Sequence, residues 1–351
     1  MNCFDSMERS GMEELVFCSD KFTGLKAIIA IHDTTLGPAM GGTRMKAYPN
    51  EEAALEDVSS LAKAMTYKAS MAGLNFGGGK AVIIGDPCQI KTETLLRAYA
   101  RFVERLGGRY ITAVDMGINE YDIDCIRKET RHALGGNAEG GRGGCPSPAT
   151  AYGVWQGMKA CAQIAFGTSD LNKRTVAVQG LGSVGSVLCK YLAKEGAILI
   201  VSDVYTERGM AFAAEIGAQW ADPAMIHKVD CDIFAPCALG RVVSAETLPE
   251  LTCRVLAGAA NNVLSDETMA AGLHNRGIIY APDYVINAGG LIYIAYERTS
   301  CLPDEIMNIV GQIGERLKLV LERAAVENIS PLLVANRMAE ERVVAARNLR
   351  A

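Results

Sequence analysis

At 351 residues, 49% of them hydrophobic and 21% charged, the chain has a globular composition and enough length for two ordinary domains, each with its own core. A formal net charge of −5 gives no electrostatic reason to expect nucleic acid or an anionic membrane as partner. Eleven irregularly spaced cysteines, four histidines (His32, His132, His227, His274) without metal-ligand spacing, a mixed-charge N-terminal stretch and no long apolar run argue against a disulfide scaffold, a metal centre, a signal peptide and a membrane span, so a reduced cytoplasmic setting is expected.

The predicted elements alternate along the first half. LKAIIAIHD reads as a strand, and Gly37 to Gly42 as a loop. A long helix runs from Glu51 to about Met71, with Leu55, Val58, Ala62 and Met65 on one face and acids in its first turn. Next comes MTYKASMAGLNFGGGKAVIIGDP, in which Lys68 and Lys80 bracket Gly77, Gly78 and Gly79. Successive glycines suit a turn with unusual dihedrals and a backbone packed closely against a ligand. The apolar run AVII after Lys80 reads as a buried strand. A lysine held at such a turn near another lysine has reason to lose its proton, because like charge and burial both disfavour the ammonium form. Taken alone, the window fits a glycine-rich hairpin with two solvated lysines equally well.

A helix around TETLLRAYARFVERL follows, then the strand RYITAVD, which ends at Asp115. The stretch GGNAEGGRGGCPSP is the clear break in composition and reads as a hinge or cleft-lining loop. Beyond a helix from Ala149 to Phe166 lies TVAVQGLGSVGSVLCKYLAKEGAILIVSD, in the order strand, glycine loop, helix, strand. Gly180, Gly182 and Gly185 stand in G-x-G-x-x-G spacing, and Asp203 closes the second strand. Such a unit binds a dinucleotide. The first glycine makes the tight turn, the second admits the pyrophosphate, the third lets helix and strand pack, and the acid takes the ribose hydroxyls. Asp203 would repel a 2′-phosphate, and Val204, Tyr205 and Thr206 offer no cation, Arg208 being the nearest, so NAD is preferred over NADP. The strands DIFAPCA, RVLAGAA and GIIYAPDYV complete a doubly wound sheet, and Asn287-Ala288-Gly289-Gly290 leads into terminal helices.

In open α/β sheets ligands sit beyond the carboxyl ends of the strands, so polar residues there are candidates for a site. Asp115 closes RYITAVD, and Asn261 and Asn262 close RVLAGAA. A carboxylate within reach of a low-titrating lysine makes an acid/base pair. Each residue has a bland alternative: a strand-end cap for Asp115, a turn for the asparagine pair, a helix start for Thr150. Within one cofactor-binding chain the set supports a site better than the separate alternatives do.

With these segments, GPAMGGTRM, PSPATAYGV, CDIFAPCALG, GAANN and APDYVINAGG, in order over nearly the whole length, the chain resembles the Glu/Leu/Phe/Val amino-acid dehydrogenase family, most of all its leucine-type members. The resemblance implies an α/β fold of two domains separated by a cleft, the second a Rossmann-type doubly wound sheet. Residues 1–148, joined by a returning C-terminal segment 328–351, would bind substrate and carry oligomer contacts, and residues 149–327 would bind NAD. It further implies that Lys80 is the base that activates water and that Asp115 shuttles a proton to and from the amino group. Lys68 would hold the substrate α-carboxylate, with Gly42 and Asn262 nearby. Met40, Ala113, Leu291 and Ile294 would line the side-chain pocket. Gly180, Gly182, Ser183, Val184, Gly185, Asp203 and Thr150 would contact the cofactor, with Asn261 by the nicotinamide ribose.

The implied activity is reversible oxidative deamination of L-leucine, L-valine and L-isoleucine by a homo-oligomer that needs no metal. Leu291 leans towards the aromatic branch of the family, which makes phenylalanine or another aromatic amino acid the alternative substrate. A hydroxy-acid dehydrogenase would use a histidine base, and none of the four histidines falls at a plausible strand end. A non-catalytic NAD-binding protein would have a broken site, whereas Lys68, Lys80 and Asp115 are all present.

Overall fold

In the computed structural model, which describes residues 3–137, 144–238, 240–297, 299 and 301–349, the strands form two six-stranded sheets. The first contains β1 (Glu14–Asp20), β2 (Leu25–Asp33), β3 (Ala39–Met40), β4 (Thr43–Lys46), β5 (Gly77–Ile84) and β6 (Tyr110–Ile111). Its order is β1-β2-β5-β3-β6, with β4 also paired to β5. β1, β2 and β5 run antiparallel in turn, whereas β3 and β4 lie parallel to β5. Ala39 pairs with Gly77 and Thr43 with Ala81, so β3 and β4 are one interrupted strand in a single register.

Both faces of this sheet are covered, which is why β2 reads as a continuous apolar run. Ile29, Ile31, Ala81 and Ile83 pack with Leu95, Tyr99 and Tyr110 on one face. Ile28, Ala30 and Val82 pack on the other against Ala54, Leu55, Val58 and Ala62 of the helix Glu51–Met71. That helix starts where Asn50 accepts the Ala53 N–H at 2.8 Å, with Glu51 and Glu52 favouring the positive end of its dipole. It approaches β5 closely. A Cβ on Gly78 would lie 2.5 Å from the Ala62 carbonyl oxygen and overlap the backbone of Thr66. The glycine run is therefore not the turn expected from the sequence. Gly77 to Gly79 lie inside β5 without positive φ: the helix requires Gly78, the Asp33 backbone crowds Gly77, and the Tyr110 ring crowds Gly79.

The second sheet contains β7 (Thr175–Gln179), β8 (Ile198–Ser202), β9 (Gln219–Trp220), β10 (Ile233–Pro236), β11 (Val255–Leu256) and β12 (Ile279–Tyr280). All its pairs are parallel, in the order β12-β11-β10-β7-β8-β9. This is the doubly wound dinucleotide-binding arrangement, with its switch point between β7 and β10. β10, β11 and β12 are shorter than the sequence suggested. Pro282, which has no N–H for a ladder, stands just after β12, and Asp283–Ile286 turns helical. RYITAVD is likewise a strand only at Tyr110–Ile111, yet its backbone runs on beside β3 and β4. Carbonyls of Arg109, Ile111, Ala113 and Met116 accept from the N–H groups of Ala39, Gly41, Thr43 and Met45.

By its contacts the chain divides into two compact units, residues 1–145 with 294–300 and 339–351, and residues 146–293 with 301–338. In the first unit Arg342, from the end of the helix Pro331–Asn348, donates to the Ser70 and Leu74 carbonyls at 3.0 and 2.8 Å. A cation thus caps the Ser70 carbonyl at the end of the helix Glu51–Met71 and that of Leu74 just beyond it. Of the glycine-rich stretch expected as a hinge, residues 138–143 lie outside the described residues.

Candidate active site

Side chains on β5 alternate, so Gly78, Lys80 and Val82 face the helix Glu51–Met71. Lys80 is 6% exposed, and its Nζ lies 3.0 Å from Asp115 Oδ2. Its nearest charged neighbour is thus a carboxylate. Arg44 Nε approaches the same Asp115 oxygen at 3.1 Å, and Arg44 Nη1 lies 3.1 Å from Asp57 Oδ2. Burial pushes the Asp115 carboxyl up, but Lys80 and Arg44 together outweigh it and hold the group below the ordinary aspartate value. Asp57 also accepts from Tyr48 OH at 2.6 Å. Neither Arg44, Asp57 nor Tyr48 was singled out from the sequence. Their signal is the alternation in TRMK, which puts Arg44 on the face of Lys80 only once the β4–β5 register is known.

Lys68 sits half-buried in the last turn of the same helix. Gly42 lies where the interrupted strand passes Asp115: a Cβ there would overlap the Val114 carbonyl and come within 2.9 Å of Asp115 Cβ. Met40 and Ala113 are buried in the first unit, and so is Ile294, whose Cδ1 would lie 3.5 Å from a Cβ at Gly135. Leu291 is buried in the second unit, in the helix Gly289–Ala295. Glu297, two residues past that helix, accepts the Gly135 N–H at 2.6 Å and pairs with Arg127.

In the second unit Gly180 takes φ +96° and a Cβ on it would strike Ala238 at 2.8 Å, while one on Gly185 would overlap the Gly180 carbonyl. A Cβ on Gly182 would meet nothing within 4 Å. This is the pattern a phosphate-cradling loop needs: two glycines demanded by the protein and one left open to a ligand. Val184 precedes the helix Gly185–Glu195 with no side-chain cap, so no protein side chain occupies the positive end of its dipole. Leu181, Gly182, Ser183, Ser186, Arg208 and Phe212 line a cavity of about 300 Å³ beside the loop. Asp203 is 7% exposed. It accepts the N–H groups of Leu181 at 2.7 Å and Tyr205 at 2.8 Å, tying the glycine loop to the end of β8. Arg208 stands 3.7 Å from it, on the helix Thr206–Ile216.

Asn261 and Asn262 are exposed beyond β11, and Asn262 has φ +52°. Asn287, which the sequence reading passed over as a candidate, is 4% exposed and donates to Asn261 Oδ1 at 2.7 Å, orienting that amide. Thr150 Oγ1 donates to the Pro146 carbonyl at 3.2 Å in the first turn of the helix Ser147–Phe166. Among the described residues no His, Cys, Asp and Glu group could hold a metal, and no helix is long and apolar enough to cross a membrane. His227 does pair with an acid, Glu250, at 2.8 Å, but it precedes β10 and so lies at the entering end of that strand.

Residues 13–132 match the model of the Glu/Leu/Phe/Val dehydrogenase dimerisation domain, and residues 205–350 that of the Glutamate/Leucine/Phenylalanine/Valine dehydrogenase domain. The chain is 50% identical to a leucine dehydrogenase of Geobacillus stearothermophilus, covering 100% of this chain and 95% of that one. It is 45% identical to a valine dehydrogenase of Streptomyces albus, over 97% of this chain and 94% of the other. A solved structure, the L-tryptophan dehydrogenase of Nostoc punctiforme, superposes with a TM-score of 0.86 at 42% identity, covering 98% and 99% of the two chains. Matched at both ends by the family's domains and along its full length by its members, the chain belongs to the Glu/Leu/Phe/Val dehydrogenase family of amino-acid dehydrogenases.

Proposed function

We propose that the protein catalyses the reversible, NAD-dependent oxidative deamination of L-leucine, L-valine and L-isoleucine to 2-oxo acids and ammonia. The observation that carries the reading is the Lys80–Asp115 pair at 3.0 Å, set on the sheet face covered by the helix that bears Lys68, in a chain of this family. Lys68 binds the substrate carboxylate by a charge-assisted bond. The bound dinucleotide supplies a hydride acceptor for Cα. Lys80, as the amine, takes a proton from the water that adds to the resulting iminium carbon. Asp115 carries a proton to the nitrogen, so that ammonia leaves and the carbinolamine becomes a 2-oxo acid. The lysine ammonium groups stabilise the carboxylate and the developing oxyanion.

The open Gly182, the uncapped helix start and the cavity beside them suit a pyrophosphate, and Asp203 suits an unphosphorylated ribose. NAD is therefore the proposed cofactor. For the side chain, the positions that the family resemblance assigns to the pocket hold Ala113, Leu291 and Ile294, a combination whose bulk favours a branched aliphatic chain over a flat ring, and overpacking a site costs about 1–3 kcal/mol, a tenfold or greater preference. Leu291 and the likeness to a tryptophan dehydrogenase favour the second reading, an aromatic amino acid. Homo-oligomerisation through the first unit is supported by its match to a dimerisation domain, and the free cysteines suit a reduced cytoplasm. NADH formation measured over leucine, valine, isoleucine, phenylalanine, tryptophan and glutamate, with NAD and NADP, tests the whole. Higher kcat/KM with an aromatic substrate would replace the branched-chain reading by the aromatic one, and no turnover with any amino acid would end both.

A further inference from the structure

Asp115 Oδ2 takes two cations at once, Lys80 Nζ at 3.0 Å and Arg44 Nε at 3.1 Å. The reaction described above uses the lysine and leaves the arginine without a task. Arg44 is held at its other end by Asp57, with Nη1 at 3.1 and 3.3 Å from the two carboxylate oxygens. Asp57 is fixed in turn by Tyr48 OH at 2.6 Å. The side chains of Arg44, Asp57 and Asp115 are 17%, 26% and 24% exposed, so their charges act through a medium poorer in water than the surface. A guanidinium is a planar fork that stays charged in a protein, and with both ends engaged it is a fixed positive group.

We propose that Arg44, anchored by Asp57, is a positioning residue that keeps the Asp115 carboxylate in place and ionised while Lys80 passes between its ammonium and amine forms. This rests on the roles given above to Lys80 and Asp115. When Lys80 gives up its proton, Asp115 loses the cation at 3.0 Å. A largely buried carboxylate with no other partner would then gain a proton or leave its place. A proton passed along the bond between the two groups would free Lys80 as an amine but leave Asp115 a neutral acid, unable to take a proton from the substrate amino group. Arg44 stays charged, so it disfavours that transfer and leaves the carboxylate free to take its proton from the substrate. Facing Asp115 are Lys80 from β5 and Arg44 from β4, with Tyr110 of β6 and Tyr48 further off. Asp57 reaches it through Arg44, Lys46 stands 3.9 Å from Asp57, and Lys68 lies on the helix that carries Asp57.

The test is the pH dependence of kcat and of kcat/KM for L-leucine in Arg44→Met, Asp57→Asn and Asp115→Asn, each checked by thermal melting and by NADH binding. Arg44→Met should lose about 50-fold or more in kcat while KM changes less than about threefold, because the interaction acts on the reacting arrangement and not on ground-state binding. The acid limb of kcat should move to higher pH in Arg44→Met, and Asp57→Asn should show the same changes, smaller, at about fivefold in kcat. A folded Arg44→Met with the wild-type acid limb and kcat, or one altered in KM alone, would overturn the proposal. If Arg44→Met does not fold, Asp57→Asn carries the test, and its wild-type kcat and pH profile would overturn the proposal equally. Full turnover in Asp115→Asn would instead remove the reading of the Lys80–Asp115 pair on which the proposal stands.

Discussion

Replacing Gly78 by alanine tests how the fold sets the distance between the two lysines. The added methyl carbon would lie 2.5 Å from the Ala62 carbonyl oxygen, where ordinary contact begins at 3.4 Å, and would overlap Thr66 as well. Both obstacles include backbone of the helix Glu51–Met71, so no side-chain rotation relieves them and the helix must withdraw by about 1 Å. Overpacking of this kind costs about 1–3 kcal/mol, and backbone against backbone belongs at the upper end. For a unit of this size about 3 kcal/mol lowers the melting temperature by roughly 6–12 °C. Lys68 sits two residues beyond Thr66 on the moving helix while Lys80 stays on the strand. A misplacement of about 1 Å then lowers kcat/KM for leucine by up to about 100-fold. Gly182→Ala is the contrast, because its methyl group meets nothing within 4 Å. It should melt as the wild type does and lose dinucleotide affinity. Differential scanning fluorimetry and initial rates read both variants. Gly78→Ala melting within about 1 °C of wild type with unchanged kcat/KM would show that helix and strand are not so closely apposed.

Lys80→Ala should lose nearly all turnover in both directions with the fold and NADH binding intact, and Lys68→Ala should mainly raise KM, as initial rates with leucine will show. Asp203→Ala should weaken NAD binding in a titration of NADH fluorescence and narrow its advantage over NADP, because the ribose acceptor goes and Arg208 is freed from a carboxylate 3.7 Å away. Ala113→Gly should move the ratio of kcat/KM values towards phenylalanine by about tenfold, the low end of what one methyl group of space is worth. Asp115 has a folded pKa below its unfolded one, so its pairing stabilises the protein above the ordinary aspartate range, and that contribution is lost as pH falls through the folded value. Denaturation of Asp115→Asn between pH 6 and 3 should accordingly show a shallower loss of stability than wild type.

Much of this fold is legible because the signals are local. Asn50, the acids after it and the apolar spacing of Leu55, Val58 and Ala62 define the helix Glu51–Met71 within one stretch of sequence. The glycine spacing from Gly180 to Gly185 likewise carries its own strand and helix beside it. The glycine run before Lys80 shows where local reading misleads. Three glycines look like a turn when only their own dihedral freedom is considered, and they turn out to be a strand crowded by a helix at Gly78, by the Asp33 backbone at Gly77 and by the Tyr110 ring at Gly79. Nothing within the run announces these neighbours, which come from residues earlier and later in the chain.

The same distinction separates the parts of the site. Lys68, Lys80 and Asp115 could be picked out as a set, because lysines bracketing a glycine run and an acid at a strand end within one cofactor-binding chain support a site that none of them supports alone. Arg44 could not, since an arginine alternating with apolar residues in a short strand is ordinary. What gives it meaning is the parallel register of Thr43 with Ala81, which sets Arg44 on the face of Lys80 and opposite Asp57 of the covering helix. Asn287 is a similar case, an asparagine in a run of small residues until its amide reaches Asn261 across the chain. Residues that hold other residues in place are specified by tertiary geometry, and a single sequence states that geometry only indirectly. The ion pairs around Asp115 follow from this: one partner, Lys80, was visible as chemistry, and the other, Arg44, only as structure.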